Sequence, residues 1–176
     1  MALNAQALID RHTASVKDHQ PIPTFEEIVQ SGHDLPNILI ITCADPRCIP
    51  EHIFKLQTGE AVVLRVAGGN AQYVLNHLLS IDSLVHFKEA IIVQHTDCGA
   101  THFRDEVVKE ELRKRAPNAG AAIDKMTFGE ITGSLADNVK KSITFLKESP
   151  LVPEQLKSNI RGFVFDLKTG ELQEVN

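Results

Sequence analysis

The chain has 176 residues, of which 43% are apolar and 23% are charged, and its formal net charge is −5. These proportions are ordinary for a soluble globular protein, and the acidic charge with only 5% aromatic residues argues against a nucleic-acid partner. No apolar run reaches the ~18 residues of a membrane-spanning helix. Residues 1–9 lack the basic leader and apolar core of a secretory signal, so we expect a cytoplasmic protein.

The first 23 residues are predicted to form an N-terminal helical arm. Apolar residues recur there at weak helical spacing, and Pro21 and Pro23 separate the stretch from the rest of the chain. The pattern leaves open whether the arm packs on its own domain or on a neighbouring subunit. Residues 24–176 are expected to form a single α/β domain.

Short β-branched runs alternate with helical patterns through residues 24–176. Strands are predicted over 37–42, 61–66, 90–94 and 161–167, and Lys168-Thr169-Gly170 joins the last of these to 171–175. Helices are predicted over 71–87, 103–115 and 134–147. This alternation predicts an α/β fold class, with a mainly parallel central sheet flanked by helices and a C-terminal β-hairpin.

The cysteines are few and odd in number: Cys43, Cys48 and Cys98. In a chain without a secretory signal, such a set points to metal-binding or reactive thiols rather than to disulfides. Cys48 lies where the chain enters a helix-like segment, and we expect it to be a packed or partly exposed thiol rather than a ligand.

Two segments with metal-ligating side chains follow predicted strands. Cys43-Ala44-Asp45-Pro46-Arg47 follows the first strand, and His95-Thr96-Asp97-Cys98-Gly99 follows the third. Because the carboxyl ends of parallel strands meet at one edge of a sheet, we expect Cys43, His95 and Cys98 to lie close together. Two thiolates and one imidazole are a ligand set typical of catalytic zinc, which keeps a fourth position open.

The fourth position has two possible occupants with opposite consequences. With water there, zinc would make hydroxide available near neutral pH, whereas Asp45 as the fourth ligand would close the site. If Arg47 pairs bidentately with Asp45, the guanidinium holds the carboxylate off the metal and frees it to orient the water. The alternative interpretation of Asp45 and Arg47 is an ordinary surface salt bridge.

Gly68-Gly69-Asn70 follows the second predicted strand at the same edge of the sheet. Glycines there let the backbone approach a site closely, so we predict that these residues belong to the substrate pocket. A plain strand-to-helix turn is the alternative. Asp97 either orients its loop or caps the following helix, and we assign it no chemistry.

The paired motifs resemble those of the β-class carbonic anhydrases. The resemblance rests on Cys-x-Asp-x-Arg at 43–47 followed by His-x-x-Cys at 95–98, and it extends from about residue 24 to the C-terminus. Further similar segments are Val63-Leu-Arg-Val-Ala-Gly-Gly-Asn70 and Gly162-Phe-Val-Phe-Asp-Leu-Lys-Thr-Gly170.

The resemblance implies one zinc ion per subunit, held by Cys43, His95 and Cys98, with Asp45 and Arg47 as a catalytic pair. It also implies a homodimer or homotetramer with the site near the subunit interface. The implied reaction is attack of zinc-bound hydroxide on CO2 to give bicarbonate, which water then displaces.

Three positions depart from the common pattern of that family, namely Ala44, Pro46 and Val66. They leave the metal ligands intact but leave the substrate open, because compact relatives include hydrolases of carbonyl sulfide or carbon disulfide. Carbonyl sulfide hydrolase is therefore the closest alternative. A non-catalytic zinc-binding protein is a further one, against which Asp45 and Arg47 argue. A thiol redox protein is another alternative, but this sequence lacks the Cys-x-x-Cys motif that such proteins use.

Overall fold

A computed structural model describes residues 3–32 and 34–175. The chain has two compact units, and the boundary between them falls after Leu35 in the sequence. The first unit contains α1 (Ala5–Ser15) and α2 (Phe25–Ser31). Helix α1 lies within the predicted arm. Helix α2 was not predicted, and it begins at a capping box in which the side chains of Thr24 and Glu27 each accept a hydrogen bond from the other's backbone N–H. The boundary after residue 23 remains a prediction, and its arm includes residues 1 and 2, outside the described residues.

The second unit is built from alternating strands and helices. Its strands are β1 (Ile38–Cys43), β2 (Val62–Val66), β3 (Glu89–His95), β4 (Ile160–Phe165) and β5 (Leu172–Val175). Its helices are α3 (Pro50–Ile53), α4 (Leu75–Val85), α5 (Asp105–Arg115), α6 (Gly120–Asp124), α7 (Leu135–Glu148) and α8 (Glu154–Lys157). Among the described residues, no helix combines the length and apolarity needed to cross a membrane.

The strand order in the sheet is β2-β1-β3-β4-β5. Strands β1 to β4 run parallel, and β5 pairs antiparallel with β4, which confirms the predicted fold class. The chain leaves β1 toward one neighbour and later crosses to the other, so the order reverses between β1 and β3. Such a reversal opens a crevice at the carboxyl ends of the two strands. Cys43 and His95, the last residues of β1 and β3, both lie at this crevice.

The predicted helix over 71–87 is interrupted at its start. A 3-10 turn covers Ala71–Tyr73, and α4 begins only at Leu75 because Val74 has a non-helical backbone. The N–H of Ala71 instead donates to Ser142 Oγ on α7. The short helices α6 and α8 escaped prediction because four or five residues are too few to display helical periodicity.

Alternate residues of the central strands face two separate apolar layers. Leu39, Ile41 and Ile92 pack in the layer that also contains buried residues of α4 and α7. Ile40 and Val93 face the opposite side, where they pack with Cys48. The sheet is thus buried on both faces at its centre, as parallel sheets usually are, and gives the crevice a rigid floor.

Helix α7 packs so closely on β4 that Gly162 has no room for a side chain. A Cβ there would overlap the side chains of Val139 and Ile143. We expect Gly162→Ala to lower the free energy of unfolding by about 1–3 kcal/mol, the cost of overpacking a core. Urea denaturation measures this change. Gly120→Ala in α6 is the control, because a Cβ at Gly120 meets nothing within 4 Å; equal stability of the two variants would contradict the prediction.

Candidate metal centre

Three metal-ligating side chains converge at the crevice between β1 and β3. Cys43 ends β1, His95 ends β3, and Cys98 follows His95 after a two-residue turn. The ligand atoms of the three residues all lie within 4.8 Å of one another, and all three residues are buried. The structure therefore brings together the side chains that the sequence predicted as ligands. Cys48 is also buried, but it lies against Thr42 Oγ1 instead, at 3.3 Å.

The spacing of the cluster suits tetrahedral zinc. The sulfur atoms of Cys43 and Cys98 are 3.7 Å apart. Two thiolates at about 2.3 Å from a tetrahedral zinc ion would be separated by roughly 3.8 Å. The donor set and its spacing thus fit the metal without rearrangement of the sulfur atoms.

The imidazole of His95 is oriented as a ligand. Its Nδ1 lies 2.9 Å from the carbonyl oxygen of Thr96, so Nδ1 carries the proton and donates it there. Its Nε2 is buried and has no hydrogen-bond partner. Metal-bound histidines commonly donate their second N–H to a backbone carbonyl in this way. The unpartnered Nε2 lone pair is the observation that points most directly to a metal site.

The two thiols share their protons unequally. The hydrogen bond with Cys98 lowers the pKa of Cys43, while the same contact raises the pKa of Cys98. Burial lowers the pKa of His95, but the adjacent sulfur of Cys43 more than offsets this effect and raises it. The centre therefore gathers negative charge at Cys43 that a divalent cation would neutralise.

Asp45 and Arg47 form the predicted bidentate pair. The Nε of Arg47 donates to Asp45 Oδ1 at 3.0 Å, and its Nη2 donates to Oδ2 at 2.7 Å. The guanidinium holds the pKa of the Asp45 carboxyl far below its usual range, against the opposing effect of burial. Oδ2 also lies 3.7 Å from Nε2 of His95, so the carboxylate borders the metal cluster while paired with Arg47.

A second carboxylate, which we did not predict, also binds Arg47. Nη1 of Arg47 donates to Asp97 Oδ2 at 2.8 Å, and Nη2 donates to the Asp97 carbonyl at 3.0 Å. Asp45 first, and then Asp97, raise the pKa of Arg47 above its ordinary value. The residues are 50 apart in sequence, and no local pattern links them.

Arg65 on β2 fixes the backbone of the first motif, Cys43–Arg47. This role of Arg65 was not predicted from the sequence. Its guanidinium donates to the carbonyl oxygens of Cys43, Asp45 and Cys48 at 3.2, 2.7 and 3.1 Å. Two signals were available: Arg65 lies in the segment Val63–Asn70 noted above for its family resemblance, and it is a charged residue within an otherwise apolar strand. Arg65 thereby holds the turn that carries Asp45 and Arg47.

The loop of Gly68, Gly69 and Asn70 packs directly against Cys43. A Cβ at Gly69, where φ is +65°, would lie 3.1 Å from the Cys43 backbone nitrogen, so only glycine allows this approach. The Asn70 side chain is buried and engaged: it donates to the Gly129 carbonyl at 3.3 Å and accepts from Asn138 Nδ2 at 2.6 Å. The two glycines thus line the cluster, and Asn70 anchors their loop.

A cleft of about 350 Å³ lies beside Arg47. Its other lining residues combine apolar side chains with basic ones: Ile49, His52, Ile53, Lys55, Phe165 and Gly170.

Known proteins resemble this chain in both sequence and structure. The family model described as "Carbonic anhydrase" matches residues 38–172. "Beta-carbonic anhydrase 1" of Mycobacterium tuberculosis is 31% identical over 140 residues, which cover 79% of this chain and 82% of that protein. "Carbon disulfide hydrolase" of Acidianus is 27% identical over 168 residues, covering 81% and 80%. The solved carbonic anhydrase from Streptococcus mutans superposes with a TM-score of 0.79 at 28% identity and full coverage of both chains.

Proposed function

Because the chain belongs to the β-carbonic anhydrase family, we propose that it is a zinc-dependent lyase that reversibly hydrates CO2 to bicarbonate. The observation that carries this proposal is the buried Cys43–His95–Cys98 cluster bordered by a bidentate Asp45–Arg47 pair. A purely structural zinc site needs the ligands but has no use for the pair.

Cys43, His95 and Cys98 are the residues that would hold one zinc ion per subunit. When bound, zinc supplies a Lewis acid that lowers the pKa of water toward neutrality. The hydrogen bond from His95 Nδ1 to Thr96 fixes the tautomer that leaves Nε2 free to bind. The hydrogen bond with Cys98, and to a smaller extent that from the Asp45 N–H, lowers the pKa of Cys43 and so favours the thiolate.

Asp45 is proposed to orient the attacking water. Its Oδ1 accepts from both the backbone N–H and the Nε of Arg47, whereas Oδ2 accepts from Nη2 and faces the side of His95 Nε2. A carboxylate oxygen offers two lone pairs, so Oδ2 keeps one for a water hydrogen. Holding that hydrogen turns an oxygen lone pair of the water toward the substrate carbon.

The cleft beside Arg47 is the proposed path of the substrate. The side chains of Ile49, Ile53 and Phe165 form an apolar wall suited to uncharged CO2, and Lys55 supplies a positive charge for the departing anion. Gly68 and Gly69 are proposed to line the substrate pocket next to Cys43, with Asn70 fixing their position from behind.

Carbonyl sulfide is the second candidate substrate. The similarity to a protein named carbon disulfide hydrolase over 81% of the chain favours this alternative. Carbonyl sulfide and CO2 are both linear, and water activated at the same centre can attack either carbon. Selectivity between them would then depend on the width and polarity of the cleft.

We further propose that the chain works as a homodimer or homotetramer. Its first unit leaves large apolar side chains exposed on both helices, among them Leu8, Ile9, Phe25 and Val29. Exposed apolar surface of this kind marks an interface with another chain when the side chains form one patch.

The function is tested by comparing turnover of CO2 and of carbonyl sulfide on one zinc-loaded preparation whose mass has been measured by light scattering. We expect CO2 hydration at a kcat/KM of at least about 10⁴ M⁻¹s⁻¹, within the usual range for enzymes, and slower sulfide release. Faster release of sulfide than hydration of CO2 would replace the first proposal by the second. No turnover of either substrate at full zinc loading would leave a non-catalytic zinc protein, and a monomeric mass would contradict the oligomer.

A further inference from the structure

Arg47 is bound by carboxylates on two edges of its guanidinium group. Asp45 occupies the Nε/Nη2 edge, and Asp97 occupies the Nη1/Nη2 edge through its side chain and its carbonyl. We propose that Asp97 is a positioning residue: it fixes Arg47 from the far side, so that Arg47 stays paired with Asp45. This inference rests on the proposed function, in which Asp45 orients water.

The contact between Asp97 and Arg47 joins the two segments that carry the metal ligands. Asp97 lies in the two-residue spacer between His95 and Cys98, and its φ of 53° is in the left-handed region. Aspartate tolerates this conformation better than most residues do. In it, Asp97 presents both its carbonyl and its carboxylate to Arg47. Arg47 therefore ties the segment that carries Cys43 to the segment that carries the other two ligands.

Exposure indicates that the tie serves orientation rather than folding stability. The side chain of Asp45 is 12% exposed, whereas those of Arg47 and Asp97 are 49% and 64% exposed. Ion pairs exposed to this degree contribute little to folding. A half-exposed arginine held by Asp45 alone would be free to move with that carboxylate. Held also by Asp97, it stays in one place.

The position of Arg47 affects which of two partners the Asp45 carboxylate binds. Its carboxylate can pair with Arg47, or it can turn to the metal cluster, where Oδ2 is already 3.7 Å from His95 Nε2. A fixed guanidinium favours the pair, which keeps Asp45 available to water. Without Asp97, Arg47 would pair with Asp45 for a smaller fraction of the time, and the Asp45 carboxylate would more often turn to the metal cluster.

The first test uses the metal-free protein and does not depend on catalysis. In Asp97→Ala, we expect the Arg47 Nε–H proton to exchange with solvent about 10-fold faster in ¹H–¹⁵N NMR spectra, the factor that corresponds to loss of about one hydrogen bond of ordinary net strength. The control is Asp124→Asn, which removes a similarly exposed partner from Arg113 and should leave the Arg47 signal unchanged. An unchanged exchange rate in Asp97→Ala would overturn the proposal, whatever the protein's substrate.

The second test is a double-mutant cycle with the zinc-loaded protein. Asp97→Ala should retain zinc and lower kcat about 10-fold, and it should cause almost no further loss in an Arg47→Ala background, because Asp97 acts through Arg47. Effects that multiply fully would overturn the proposal. Asp97→Asn keeps a residue tolerant of the left-handed backbone, and it replaces Asp97→Ala in both tests if that variant fails to fold. If the parent protein turns over neither CO2 nor carbonyl sulfide, the proposed function fails. The NMR test still decides whether Asp97 positions Arg47.

Discussion

Cys98→Ser is expected to fold but to lose its zinc. Cys98 is fully buried, and its sulfur is one of two thiolates in the cluster. Serine leaves an alcohol that does not ionise near neutral pH, so two protein ligands remain where catalytic zinc sites have three. Because disturbing only an outer-shell partner costs 10–100-fold in affinity, loss of a ligand should weaken zinc binding by at least about 100-fold. Competition with a chromogenic chelator measures the affinity.

Cys48→Ser provides the matched control for this substitution. Cys48 is equally buried, but its sulfur contacts Thr42 and lies outside the cluster of ligand atoms. Its serine variant should keep one zinc ion per chain with affinity close to that of the parent. Parental zinc affinity in Cys98→Ser, or equal losses in the two variants, would refute the assignment of Cys98.

Arg47→Ala is expected to keep zinc and lose turnover. The substitution removes no ligand, but it removes the four hydrogen bonds that the guanidinium donates to Asp45 and Asp97. Asp45 is then free to turn to the metal and close the site. We expect kcat/KM to fall by about 100-fold or more, the scale of a lost proton-handling group, while zinc content by elemental analysis stays at one per chain.

Arg113→Ala is the control for loss of a surface guanidinium, because Arg113 on α5 pairs with the exposed Asp124 on α6 and not with a residue of the cluster. It should retain full turnover. Full activity in Arg47→Ala would reduce the Asp45–Arg47 pair to an ordinary surface salt bridge. Loss of zinc together with activity would instead make Arg47 a support of the ligand loop.

The ligand set could be predicted because each ligand follows an apolar run. The runs ending near Cys43 and His95 read as buried parallel strands, and parallel strands end at a common edge. Strand bounds came within two residues for the same reason, since β-branched runs are sharply limited by turn residues. The sequence pattern thus carries information wherever a side chain's position follows from backbone periodicity.

The contact between Arg47 and Asp97 and the contacts of Arg65 could not be predicted. Each depends on the fold of a turn: Asp97 reaches Arg47 through a left-handed backbone, and Arg65 reaches three carbonyls of the loop after β1. Neither has a periodic signature. Helix α2 was missed for a different reason: Phe25, Ile28 and Val29 recur at helical spacing, but seven residues span too few turns for the period to be recognised.

The separation of Cys43 and Cys98 by 55 residues has a consequence for unfolding. An ion held by both thiolates would be a cross-link that closes a long loop, one that includes β2, α4 and β3. Such clips restrict the unfolded chain more as the loop grows. Global unfolding would then require the ion to dissociate or one thiolate–metal bond to break. The lifetime of the folded chain would therefore depend on the rate of that step as much as on the packing of the core.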